Sequence, residues 1–153
     1  MIFVPPIVVI NTIDDFCIFL FRDRNHQASA PPHFHIVFPV NAEADLVVTI
    51  ITSQVDSLKQ LYQRKQDACD ALVPVDNDIF TFLKRKSVVD CNRAELMTKF
   101  ELVKRVDQSS EYKIKRCKIP FYLKMDICTA IRKSPLISPR LKKLVKEYLK
   151  SLG

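Results

Sequence analysis

The chain has 153 residues, 48% hydrophobic and 27% charged, enough to bury a core of its own and unlike a disordered chain. Its one glycine is Gly153, so no glycine-rich loop can cradle a phosphate, and Rossmann and P-loop readings are excluded. The net charge of +7 is uneven: residues 1–98 carry 9 Lys/Arg against 12 Asp/Glu, and residues 99–153 carry 15 against 5.

In chain order, residues 1–10 are apolar but interrupted by Pro5 and Pro6. They are too short for a membrane span and lack the basic leader of a signal peptide. Residues 16–22, 34–40 and 46–52 read as strands; the last is β-branched almost throughout, as in a strand buried on both faces. Leu58, Leu61 and Tyr62 among polar neighbours fit a short helix, residues 71–75 a short strand, and residues 79–83 an apolar turn. Residues 87–91 and 101–106 read as further strands, with 107–111 as a polar loop. Pro120 opens a helix, Ser134-Pro135 breaks it, and Ser138-Pro139 starts another as cap and first helical residue. Leu141, Leu144, Val145, Tyr148, Leu149 and Leu152 make an apolar stripe on that last helix, which needs the sheet or another subunit to cover it. The fold class expected is α+β, a small, strongly bent sheet or barrel followed by helices, in a single domain over residues 1–153.

The five cysteines, Cys17, Cys69, Cys91, Cys117 and Cys128, form no C-x-x-C pair; reduced thiols in a cytoplasmic protein are expected, with no zinc knuckle or disulfide framework. The basic C-terminal part points to a polyanionic partner, nucleic acid first and an acidic protein second, against the alternative of a merely solvated lysine-rich face. The richest local motif is Pro31-Pro32-His33-Phe34-His35, shortly after Arg22, Arg24 and His26. On a strand His33 and His35 point to one face, beside guanidinium groups, a pattern suited to proton transfer, metal binding or phosphate binding. No third metal ligand stands at motif spacing, so no metal and no other cofactor is expected.

Several segments resemble the MazF/PemK-like toxins. The strand from Phe34 stands where that family has its Arg-Pro and an aliphatic strand, and Val48-Thr49-Ile50-Ile51-Thr52-Ser53 is similar to its strand ending in Thr-Ser. Leu83-Lys84-Arg85-Lys86-Ser87-Val88-Val89-Asp90-Cys91-Asn92 is similar to its leucine, basic spacer and Ser-Val-Val strand. The resemblance implies an SH3-like, PemK-type β-barrel over about residues 15–106, with a helical C-terminal extension over about 119–152. It also implies metal-independent cleavage of single-stranded RNA, by attack of the ribose 2′-hydroxyl on the adjacent phosphate, in a homodimer with a small acidic antitoxin-like partner and no membrane association. On that reading His33 or His35 serves as acid or base, Arg24 or Arg22 neutralises the phosphorane, and Thr52 and Ser53 position the phosphate. Arg22, His26, Lys84, Arg85, Lys86 and Asn92 would hold the RNA. The family arginine beside the proline has no counterpart, because Pro31, Pro32 and His33 stand there. Either histidine replaces it, or the chain binds without cutting. The alternatives are a non-catalytic nucleic-acid- or protein-binding barrel and, third, a histidine-dependent nucleotide phosphoesterase, which His-Phe-His resembles in its H-x-H spacing. Pro-Pro-His-Phe-His also resembles a motif of a small domain family associated with toxin–antitoxin gene pairs.

Overall fold

A computed structural model describes residues 4–22, 32–41, 45–106, 112–115 and 117–152. Among them the chain is α+β, with a six-stranded antiparallel sheet in the order β4-β5-β3-β2-β1-β6. The strands are β1 (Cys17–Phe21), β2 (His33–Pro39), β3 (Asp45–Thr52), β4 (Leu72–Val75), β5 (Ser87–Thr98) and β6 (Lys113–Lys115). The helices are α1 (Pro6–Asn11), α2 (Val55–Leu61), α3 (Gln66–Asp70), α4 (Lys99–Arg105), α5 (Phe121–Lys133) and α6 (Pro139–Leu152). β4 and β6 end the sheet on opposite sides and do not pair with each other, so among the described residues the sheet is open rather than closed as a barrel. Nor does it stop near residue 106, since β6 pairs with β1 through Phe19 and Ile114.

The sheet is buried on both faces, which is why β3 carries an unbroken buried run from Leu46 to Ile51. Ile18, Ile36, Phe38, Val47, Val89 and Cys91 project to the first face, where α5 and α6 cover them with Leu123, Ile127, Ile131, Leu141 and Val145. Phe16 and Phe38 stack at 4.2 Å between centroids, and Tyr148 of α6 closes on both. The apolar stripe of α6 is therefore covered by its own chain, and it supplies no argument for a second subunit.

The opposite face is covered in two separate patches. Ile10 of α1 and Leu102 of α4 pack on Phe19, Phe21, Val37, Leu46, Val48 and Met97. Tyr62 and Ala68, from the α2–α3 region, pack on Leu72 and Val88. Between the patches lie His35 and Ile50, which are register partners on β2 and β3.

Of residues 101–106, read from sequence as a strand, 101–105 belong instead to helix α4, and Val106 follows it in extended backbone. Thr98 caps it, its hydroxyl accepting the Glu101 N–H at 3.0 Å, and Lys104 and Arg105 sit in the last turn where the helix dipole favours cations.

Candidate functional site

The site is built around an irregularity in β5. Val48 pairs with Glu95 but Ile50 pairs with Asp90, so β5 takes five steps where β3 takes two. Cys91-Asn92-Arg93-Ala94 thus stand opposite the single residue Thr49, an enlarged bulge, and bulges re-aim side chains out of the plain alternation of a strand. Here Asn92 is turned inward and buried while Arg93 is exposed.

Buried hydrogen bonds hold that shape. Asp90 Oδ1 accepts from the Asn92 N–H and from Asn92 Nδ2, both at 3.2 Å, and Asp90 Oδ2 accepts from the Tyr62 hydroxyl at 3.2 Å. Asn92 Nδ2 also donates to the Ala68 carbonyl at 2.8 Å, and Asn92 Oδ1 accepts from Ser134 Oγ at 2.7 Å. Ser134 Oγ in turn accepts the Leu136 N–H at 3.2 Å. One asparagine thus joins the bulge to α3 and to the turn that leads into α6. Burial pushes the Tyr62 hydroxyl up to about 12, with the Asp90 carboxylate adding to the rise and Arg93 opposing it. Tyr62 therefore remains a donor to Asp90 throughout the neutral range.

Against the bulge opens a cleft of about 670 Å³. Its lining includes His35 and Ile50 from the sheet, Arg93 and Glu95 from β5, Glu101 and Arg105 from α4, and Ser138 and Arg140 at the start of α6. Arg105 is tied to Glu95 at 3.1 Å. Arg93 and Arg140 are exposed and make no ion pair among the described residues. The Ser138 hydroxyl accepts the Leu141 N–H at 3.3 Å, so the positive end of the α6 dipole also faces this cleft. The exposed side of α6 continues the cationic surface with Lys143, Lys146 and Lys150, opposite its buried Leu141 and Val145.

The residues singled out in the sequence divide among three places. His33 and His35 do share a face: Phe34, Ile36 and Phe38 pack toward α5 and α6, and the histidines alternate with them. His35 is 4% exposed, its ring stacked on Phe21 at 4.1 Å, and it lines the cleft. The register pairing His35 with Ile50 sets Thr52 level with His33 on that same face, and Arg22 follows Phe21, the partner of His33 on β1. The Thr52 hydroxyl accepts the Gln54 N–H at 3.2 Å, a turn-forming role, and Ser53 is exposed beside it.

Lys84, Arg85 and Lys86 are exposed in the loop before β5, at the Thr52 end of the sheet. They stand outside the cleft lining, separated from Arg93 by the first residues of β5. Asn92 lines the cleft, and its amide is engaged in the buried network. Arg24 and His26 lie outside the described residues.

The cleft's cations, Arg93, Arg105 and Arg140, were not singled out from sequence. The only forward signal was Ser138-Pro139, which marks the start of α6 and hence the place of Arg140.

Among the described residues no group of three or more His, Cys, Asp or Glu side chains could hold a metal ion, and no helix is long and apolar enough to cross a membrane. All five cysteines are free thiols; burial pushes Cys91 and Cys128 upward, to about 12 for Cys128, so neither is a ready nucleophile. No protein-family model matches the chain, and no curated protein matches it.

Proposed function

We propose that the protein binds single-stranded RNA, with the phosphate backbone running through the bulge cleft and out along the exposed side of α6. The observation that carries this reading is the convergence of Arg93 and Arg140 on one cleft floored by His35. Guanidinium groups match phosphate oxygens in geometry and charge, and the positive end of the α6 dipole faces the same wall. A single strand can lay its phosphates along such a groove and leave its bases free to stack beside it.

The test is fluorescence anisotropy with a short labelled single-stranded RNA. The Arg93→Gln, Arg140→Gln double variant is expected to bind roughly tenfold or more weakly with an unchanged melting curve. Unchanged affinity overturns the proposal. So does equal binding of polyglutamate, which would make an acidic protein the partner.

A second reading, metal-independent cleavage of that RNA, is favoured by the alignment of His33, His35 and Thr52 on one face with His35 at the cleft. His35 would take the 2′-hydroxyl proton as that oxygen attacks the adjacent phosphorus; the P–O5′ bond breaks, the 5′-oxygen takes a proton back, and the products carry a 2′,3′-cyclic phosphate and a 5′-hydroxyl. Incubation with RNA in EDTA decides it: cutting by the protein and not by the His33→Ala, His35→Ala double variant supports this reading. Equal cutting by both, or none by either, removes it and leaves binding alone.

A further inference from the structure

We infer that a second cleft, sharing Arg93 with the first, receives a nucleobase of the bound strand; this rests on reading the arginine cleft as the phosphate path. The second cleft, of about 740 Å³, lies between the end of α2 and the α5–α6 turn. Leu58, Leu61, Tyr62 and Leu136 line it with carbon, Gln60 and Gln63 contribute amides, Arg64 and Lys65 add charge, and Arg93 and Leu136 belong to both clefts. Leu61 is 70% exposed and Leu136 46%, large apolar side chains left in water at the border of a cationic site.

That combination matches the parts of a nucleotide. A base is a flat apolar ring with a polar edge, and it stacks on aliphatic surface or on a guanidinium plane. Glutamine amides carry both donors and acceptors, as base edges do. The phosphate attached to such a base would fall on the Arg93 side, where the first cleft begins. Arg93 thus stands at the junction, able to face a base with its plane and a phosphate with its N–H groups. The buried network through Asn92 and Ser134 fixes the two shared residues relative to each other, since it holds the bulge on one side and Leu136 on the other.

The experiment compares a single-stranded RNA with an abasic strand of the same length and charge, using Leu61→Ser, Leu136→Ser and the double variant. Both side chains are exposed, so folding is expected to be retained, and a melting curve checks it. The double variant should bind the base-bearing RNA at least about fivefold more weakly and leave the abasic strand's affinity unchanged. Gln63→Ala should alter the ranking among homopolymeric RNAs.

If the leucine variants leave RNA affinity unchanged while Arg140→Gln lowers it, the base subsite is overturned and the phosphate path stands. If Arg140→Gln also has no effect, both are overturned. Equal losses on the two strands likewise overturn the subsite, because the leucines would then be acting on something other than a base.

Discussion

At the scale of single residues, Asn92 shows how a polar side chain can belong to a site without touching its ligand. Its amide satisfies Ala68, Asp90 and Ser134 at once, and truncation leaves buried partners unsatisfied. Asn92→Ala should therefore cost about 2–4 kcal/mol in urea unfolding, from the lost bonds and the stranded groups together. It should also weaken RNA binding, since Arg93 and Leu136 lose their common anchor; retained stability would show the network to be dispensable. Tyr62 is a second case. Its hydroxyl rises from an ordinary 10.0 to about 12 on folding, so the folded state holds that proton more tightly than the unfolded chain. The resulting stability is present below pH 10 and is lost as pH climbs toward 12. Tyr62→Phe should flatten part of the fall in urea midpoint over that interval. The rest remains, because burial also raises Tyr148, Cys17 and Cys128 to about 12. An unchanged alkaline slope in Tyr62→Phe would refute the assignment.

At the scale of elements, β3 was legible because six consecutive buried positions demand a continuous apolar run, and the sequence from Leu46 to Ile51 supplies one except at Thr49. Thr49 satisfies its hydroxyl on the Ile36 carbonyl at 3.0 Å. The start of α6 was legible from Ser138-Pro139 because a cap is a local device. Helix α4 carried a cap signal too, Thr98-Lys99-Phe100-Glu101, the spacing at which a threonine hydroxyl meets the N–H of a glutamate. The β-branched Val103 and Val106 favour a strand reading, although Leu102 and Val106 recur at helical spacing and are the residues that α4 and its end bury. Thr98→Ala should cost about 1 kcal/mol in urea unfolding, and a loss well below that would show the cap to be incidental. The bulge could not be read in this way. Nothing local distinguishes Asn92-Arg93 from an ordinary alternating pair; the surplus exists only relative to β3, more than forty residues earlier in the chain. The same holds for β6, a three-residue strand defined by its pairing with β1. Of the residues singled out by type, His35 and Asn92 come to the cleft, while Arg93 and Arg140, gathered there by long-range pairing, carried no local signal of their own.

At the scale of the whole molecule, charge distribution makes the sharpest claim. The +10 excess of residues 99–153, 15 basic against 5 acidic, includes Arg140, Lys143, Lys146 and Lys150 on the exposed side of α6. The basic loop at Lys84, Arg85 and Lys86 lies at the other end of β5. Both surfaces attract a polyanion at long range, so affinity at one salt concentration cannot tell a defined path from diffuse attraction. The salt dependence can. Each phosphate neutralised on a single strand releases counterions and contributes about −0.7 to the slope of log K against log salt. Arg140→Gln should make that slope shallower by about 0.7, and Lys143→Gln should do the same if the strand follows α6. Lys86→Gln should leave the slope within error, because a charge outside the path alters the general field without losing a contact. Titrations of the three variants against one RNA across a range of salt read this directly. Equal changes from Lys86 and Arg140 would mean that no particular face is the binding face. A change from Lys86 alone would move the strand to the Thr52 end of the sheet, beside His33.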